Sequence, residues 1–295
     1  MTTTTIDEFD VDMGDGRVLH AYDTGGHSAF GQSPSRDRDG ELAIFWHHGT
    51  PNIGTPPSPL FPAAERLGLR WLSYDRPAYG GSTRVIGRDA ASGATYARAV
   101  ADHLGIERFA VMSHSGANVY ALASAALMPE RVVGVICASS IAPFDAAGLD
   151  WFADMIPSGV TSLTAAAKGM AAKEAHERSD VEYDPEFTAA DFAAFEDRWG
   201  WFGSVVAPAQ AKGPEGLIDD DLSYVNPWGY DAAQVQAPTL FLHGDQDGIL
   251  PPAHGKWLAS RIPNAELRLY AGDAHISVLN HAESALEWLA EKARR

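Results

Sequence analysis

The sequence has one cysteine among its 295 residues, so no intrachain disulfide can form and a disulfide-stapled secreted scaffold is excluded. Cations are scarce too: 22 Lys and Arg stand against 39 Asp and Glu, a formal charge of −17. A surface so acidic repels phosphate backbones, and no Lys/Arg cluster interrupts it. Nucleic acid, anionic membranes and highly anionic substrates are disfavoured as partners. The nearest thing to a basic patch, Arg36 and Arg38 in SPSRDRDG, is interleaved with aspartates and reads as a solvated loop. No stretch approaches the about 18 apolar residues of a membrane-spanning helix. The opening MTTTTIDEFDVDMGDG has neither a basic n-region nor an apolar h-region, so no signal peptide is expected and residues 1–6 are expected to fray. Also missing are a G-x-G-x-x-G fingerprint, a phosphate loop and an HExxH or HxHxD spacing. These absences predict a cytoplasmic protein with a small-molecule substrate and with no cofactor, metal, nucleic acid or membrane to bind.

What is present is enough apolar residue, 45%, for a large buried core. Short apolar runs alternate with helical patterns from residue 41 onward. Strands are expected at 41–48, 70–75, 108–113 and 132–138, with helices near 60–67, 91–104 and 116–127. Strand, helix, strand in repetition implies a parallel sheet covered by helices. The pattern breaks at Ala142-Pro143. Residues 143–232 are alanine-rich, acidic and aromatic, with helical stretches near 159–177 and 188–201 and no strong strand signal. Strands resume at 238–243 and 265–270, with helices near 252–261 and 277–293. The chain thus reads as one α/β core, residues 7–142 and 233–295, carrying a mostly helical insertion. Cys137, inside VVGVICA, is expected to be a small buried hydrophobe.

The strongest local feature is AVMSHSGANVYALASAALMPERV, residues 110–132, in which a buried strand turns into an alanine-rich helix at Ser115. A serine on such a turn has its hydroxyl exposed above the sheet edge, with the next backbone N–H beside the reacting carbonyl. The usual G-x-S-x-G frame is here Ser113-His114-Ser115-Gly116-Ala117. Its outer residues remain small, as close passage of strand and helix requires. The competing reading is a helix N-cap, which Ser113 or Ser115 would fill.

A nucleophilic serine needs a base, an acid to orient that base, and donors for the oxyanion. In strand-turn-helix enzymes the acid and then the base follow the serine along the chain. His275, after a strand and before the last helix, is the best base among eleven histidines. His281 is the nearest rival but should lie within that helix, while His254, His176, His103, His27 and His20 are expected at the surface. Asp245 and Asp247 are both candidates for the acid, and either could instead shape a turn. The oxyanion donors are expected to be the N–H groups of Thr50 and Gly116. His47 and His48 are expected to pack a loop rather than to hold a metal.

HHGTP (47–51), YDRPAYGGS (74–82), SHSGAN (113–118), HGDQDGILP (243–251) and GDAHIS (272–277) together resemble the α/β-hydrolase superfamily over nearly the whole chain. Within it the sequence is similar to serine hydrolases of the HGTP/DRPxYGxS type, near the esterase and proline-iminopeptidase groups. The resemblance implies an α/β-hydrolase fold and points to Asp247 as the acid. It also implies that residues 143–232 form a helical cap over the pocket. Trp199, Trp201 and Phe202 would then line the substrate chamber or form the cap's own core, and His48 and His114 are further candidates for the chamber wall. Three departures stand out. Ser115 occupies the position where dehalogenases and epoxide hydrolases carry aspartate, Ala78 replaces a motif glycine, and the GGSxGG of many prolyl peptidases is absent.

The expected activity is cofactor-free hydrolysis of a small or medium uncharged ester or lactone through an acyl-enzyme, with Ser115, His275 and Asp247 as the triad. Carbon–carbon or peptide/amide hydrolysis by the same triad is an alternative. A ligand-binding protein or receptor on the same fold is another, from a different class.

Overall fold

A computed structural model describes residues 4–25, 41–180 and 183–293. Arg36, Arg38 and His27, placed above in loops or at the surface, lie outside the described residues.

In chain order the elements begin with β1 (Asp7–Asp12), β2 (Val18–Asp23), β3 (Leu42–His47), α1 (Phe61–Leu67), β4 (Leu69–Tyr74), α2 (Ser92–His103), β5 (Phe109–His114), α3 (Asn118–Leu127) and β6 (Val132–Ala138). Helices α4 (Pro157–Ala167), α5 (Met170–Glu177), α6 (Ala189–Glu196), α7 (Phe202–Ala211) and α8 (Glu215–Val225) follow. The chain closes with β7 (Thr239–Gly244), α9 (Pro252–Arg261), β8 (Ala265–Tyr270) and α10 (Ala282–Ala293). Between Ala138 and Thr239 the described residues contain no strand.

The eight strands form one sheet in the order β1-β2-β4-β3-β5-β6-β7-β8. From β4 to β8 every neighbour is parallel, while β2 runs antiparallel to β4 and to β1. Strands β3 to β7 are buried on both faces, as crossover helices require, so their sequences read as unbroken apolar runs. Successive side chains then feed two cores. Phe45, Val111 and Val135 meet α2, α3 and α9 on one face; Ile44, Met112 and Ile136 meet α1 and α10 on the other. Cys137 is fully buried among the first set, and burial pushes its thiol up to about 12.

The hairpin β1–β2 was not predicted. It sits at the sheet edge, where β1 buries only Val11 and fills its alternate positions with carboxylates, so no apolar run announces it. Residues 143–232 are held from both cores. Ile218 and Leu222 of α8 belong to the first, and Trp199, Phe202 and Val205 to the second. Along that second contact four indoles form a chain, with centroids 6.4 Å apart at Trp71–Trp46, Trp46–Trp201 and Trp201–Trp199.

Candidate active site

The parallel strands end at one edge of the sheet, and the loops leaving that edge bring the predicted residues together. Strand β5 delivers Ser115 into a single turn of 3-10 helix before α3. Ser115 itself has φ 62°, the left-handed region, a strain of order 1–3 kcal/mol for a residue with a Cβ. The next residue must be glycine, because a Cβ at Gly116 would lie 2.5 Å from the Tyr224 ring.

His275, in the loop between β8 and α10, places Nε2 3.0 Å from Ser115 Oγ. Its Nδ1 lies 3.0 and 3.1 Å from the two oxygens of Asp247. An ionised carboxylate only accepts hydrogen bonds, so Nδ1 carries the proton and Nε2 accepts from the serine hydroxyl. Asp247 also accepts the N–H groups of Ile249 at 3.0 Å and Leu250 at 2.9 Å. Burial opposes its ionisation, but the neighbouring His275, with His243 and the backbone donor, holds the carboxyl down at about 2. Asp245, the alternative acid, is exposed, accepts the Gly272 N–H at 2.8 Å and shapes the turn.

Thr50 and Gly116 both line the cavity beside Ser115, and the Thr50 N–H has no partner among the described residues. The Thr50 loop is anchored from behind by Arg76. Its guanidinium donates to the carbonyls of His48 and Gly49, to Thr50 Oγ1 at 3.0 Å and to Asp220 Oδ2 at 2.6 Å. Asp220, on α8, also receives Thr50 Oγ1 at 2.5 Å, Arg88 at 2.6 Å, Tyr120 at 2.8 Å and Tyr79 at 3.0 Å. Burial works against this carboxylate, yet Arg76 and Arg88 hold it well below the ordinary carboxylate range.

The YDRPAYGGS motif builds this support. Asp75 accepts the N–H groups of Gly54 at 2.6 Å and Gly81 at 2.8 Å, and Arg76 supplies the loop anchor. Ala78, where the family pattern has glycine, has φ 83°, so the turn keeps the conformation that glycine adopts freely.

Several expected positions are corrected. His48 is buried behind the loop, donating to the Gly49 carbonyl at 2.9 Å and accepting the Arg76 N–H at 3.0 Å, so it does not line the cavity. Trp199 and Trp201 face the core; the Trp199 indole donates to Asn280 at 3.0 Å, and of this trio Phe202 alone lines the cavity. His254 is fully buried rather than exposed, bridging the Ala142 N–H at 3.1 Å and the Trp151 carbonyl at 3.0 Å. His114 does line the cavity, packed at a tilt against Phe202 and His275 with centroids at 5.4 and 4.9 Å. It donates from Nε2 to the His275 carbonyl at 2.9 Å, and burial drives its pKa down to about 3, so the ring is neutral.

Three acidic residues were not anticipated. Asp191 on α6 binds the backbone just after His275. Asp220 holds the Thr50 loop, and Asp221 faces the cavity. The only signal for the last two is their setting, since IDDDL places three aspartates between apolar residues of one helix.

The cavity at Ser115 has two lobes. One, of about 310 Å³, runs along Gly116, Ile141, Leu163 and Tyr224. The other, of about 600 Å³, runs along His114, His275, Phe187, Phe195 and Phe202. The arrangement sets a histidine-bonded serine hydroxyl beside a cavity lined largely by apolar side chains.

The chain matches the family described as alpha/beta hydrolase fold over residues 43–282. It is 27% identical over 196 residues to 2-hydroxymuconate semialdehyde hydrolase of Pseudomonas putida, covering 64% of this chain and 63% of that protein. It thus spans less than two thirds of that relative. Among solved structures, an esterase from Thermogutta terrifontis superimposes with TM-score 0.66 and 18% identity, covering 97% of this chain and 99% of the other. The enol-lactonase from Burkholderia xenovorans gives TM-score 0.65 and 19% identity, covering 98% and 100%. With this sheet order, this turn at Ser115 and the match across both halves of the core, the chain belongs to the alpha/beta hydrolase fold family.

Proposed function

We propose that this α/β-fold hydrolase cleaves a small or medium uncharged carboxylic ester or lactone, without a cofactor, through an acyl-enzyme. The observation that carries the proposal is the continuous hydrogen-bond chain from Ser115 through His275 to Asp247, opening on an apolar cavity. Ser115 Oγ attacks the carbonyl carbon as its proton passes to His275 Nε2. Asp247 keeps the other ring proton on Nδ1 and stabilises the imidazolium that forms. The N–H groups of Thr50 and Gly116 hold the oxyanion; one such donor contributes about 10²–10³ in kcat. The imidazolium then protonates the departing oxygen, and water repeats the cycle on the acyl-enzyme. Neutral His114, packed on His275, adds no positive charge that would oppose imidazolium formation. Residues 143–232 serve as the cap, and Phe202 and His114 as pocket wall. A cytoplasmic location belongs to the same proposal.

A second reading keeps these groups and breaks a carbon–carbon bond. The similarity to the semialdehyde hydrolase favours it. Turnover of p-nitrophenyl esters from C2 to C12 by the wild type and by Ser115→Ala tests the first reading. Loss of activity in the variant is expected; equal rates would overturn the role of Ser115. Products from a vinylogous diketone and an ester in parallel separate the two chemistries.

A further inference from the structure

The two lobes are not equivalent. The histidine that accepts the serine proton gives it to the departing oxygen, so the leaving group lies on the side that His275 faces. His275 lines the larger lobe, with Phe187, Phe195 and Phe202, and does not line the smaller one. The acyl part therefore occupies the smaller lobe, between Gly116 and a wall built from α4, α5 and α8.

That wall is charged. Lys173 Nζ, fully buried, lies 2.5 Å from Asp221 Oδ2, 2.6 Å from Glu177 Oε1 and 2.5 Å from Ser162 Oγ. These three partners consume all three ammonium protons. The Ser162 hydroxyl in turn donates to Asp221 Oδ2 at 3.1 Å. Asp221 Oδ1 and Glu177 Oε2 have no hydrogen bond among the described residues, while both side chains line the lobe. Among the described residues two further ionisable groups are close: His176, its Nε2 3.9 Å from Glu177 Oε1, and Tyr183, which lines both lobes and whose hydroxyl is held protonated by burial and by the Asp221 charge. The wall thus presents acceptor oxygens, no spare Lys173 or Ser162 proton, and two carboxylates against one ammonium. Burying a ligand carboxylate against it would leave that charge unpaired, at high cost.

We propose that the acyl part of the substrate ends in a hydrogen-bond donor that meets Asp221 and Glu177, a hydroxyl where the ester is uncharged as above or an ammonium where that end alone is cationic, and that carboxylate-ended acyl groups are rejected. The inference rests on the ester-hydrolysis reading for its orientation and concerns the same Ser115 site.

The test uses p-nitrophenyl esters of matched acids of four to eight carbons, ending in methyl, hydroxyl, ammonium or carboxylate. At the best length, kcat/KM is expected to be at least tenfold higher for a donor-ended ester than for the carboxylate-ended one, and at least threefold higher than for the methyl-ended one. Comparison of hydroxyl with ammonium identifies the donor. Asp221→Asn and Glu177→Gln should each shrink these ratios, read within each variant so that any change in its methyl-ended turnover cancels; circular dichroism checks that both variants fold. The corresponding p-nitroanilides, titrated into Ser115→Ala, give the same comparison without turnover. Equal or reversed preference in that titration overturns the proposal. A donor preference in binding with no ester turnover by the wild type would instead overturn the ester reading and leave the acceptor wall supported.

Discussion

Asp191 Oδ1 accepts the backbone N–H of Ile276 at 2.8 Å, and that of Ser277 at 2.9 Å, so a helix of the 143–232 segment holds the residues next to His275. The same carboxylate closes a capping box with Thr188 at the start of α6. Removing it would free two buried donors and loosen the loop that aims the imidazole. Asp191→Ala is expected to lower kcat for a p-nitrophenyl ester about 10- to 100-fold with little change in KM. Asp191→Asn, which keeps one acceptor oxygen, should recover most of that loss. Steady-state kinetics and thermal melts of both variants check this.

The Asp220 carboxylate is the meeting point of Arg76, Arg88, Thr50, Tyr79 and Tyr120. Asp220→Asn leaves two buried guanidinium groups with too few acceptors, and a loss of about 3–5 kcal/mol in stability is expected. Arg76→Met should cost a similar amount. The double variant should cost much less than the sum, because each single change strands the other's partner. Urea unfolding of the three variants measures the coupling.

Buried neutral histidines set the acid side of stability. Burial drives His47 and His114 down to about 3 and His254 to about 4. Unfolded histidine takes up a proton below about 6.5, whereas these native rings do not, so acidification favours the unfolded chain. Each contributes a loss of roughly 1.4 kcal/mol per pH unit below that value, continuing down to its native pKa. Urea midpoints should therefore fall steadily from pH 7 to pH 5. In the same range the imidazole proton signals of these three residues should stay at their neutral shifts.

Asp247 adds to the same acid lability in a lower pH window. Its carboxyl, held at about 2 beside His275, is ionised in the native state well below the unfolded value. The resulting stabilisation is present above about pH 4 and is lost as pH falls towards 2. Asp247→Asn is expected to lower kcat about 10³- to 10⁴-fold by removing the charge that fixes the tautomer. Its stability deficit against the wild type, about 2 kcal/mol at pH 5, should shrink on acidification. Stopped-time assays and unfolding at pH 5 and pH 3 check the two halves of this expectation.

The core strands and the turn at Ser115 were legible because strands buried on both faces leave continuous apolar runs, and because small residues flank the serine where strand and helix pass closely, a constraint that an N-cap alone does not impose. Asp247 was open against Asp245 until the family pattern was applied; the structure separates them by burial, one under His275 and the other at an exposed turn. The hairpin at residues 7–23 left no run to read. Asp219, Asp220 and Asp221 look in sequence like a solvated face. They are buried because each meets a different cation: Arg84 at 2.9 Å, Arg76 at 2.6 Å and Lys173 at 2.5 Å. Those partners lie between 48 and 144 positions away in sequence, so no local pattern reveals them. His254 misled for the same reason, since its burial depends on the Ala142 N–H and the Trp151 carbonyl more than 100 positions away, whereas His48 packs its loop as expected and only its place in the chamber wall was misjudged.

The chain of indoles from Trp71 to Trp199 crosses from the sheet into the inserted helices. Four aromatic transition dipoles at such spacing couple to one another, and the coupling depends steeply on their separation and tilt. The protein therefore carries an intrinsic optical gauge of that contact. Near-ultraviolet dichroism and tryptophan emission would register any parting of the inserted helices from the sheet, during ligand entry or at the onset of unfolding, with no label attached.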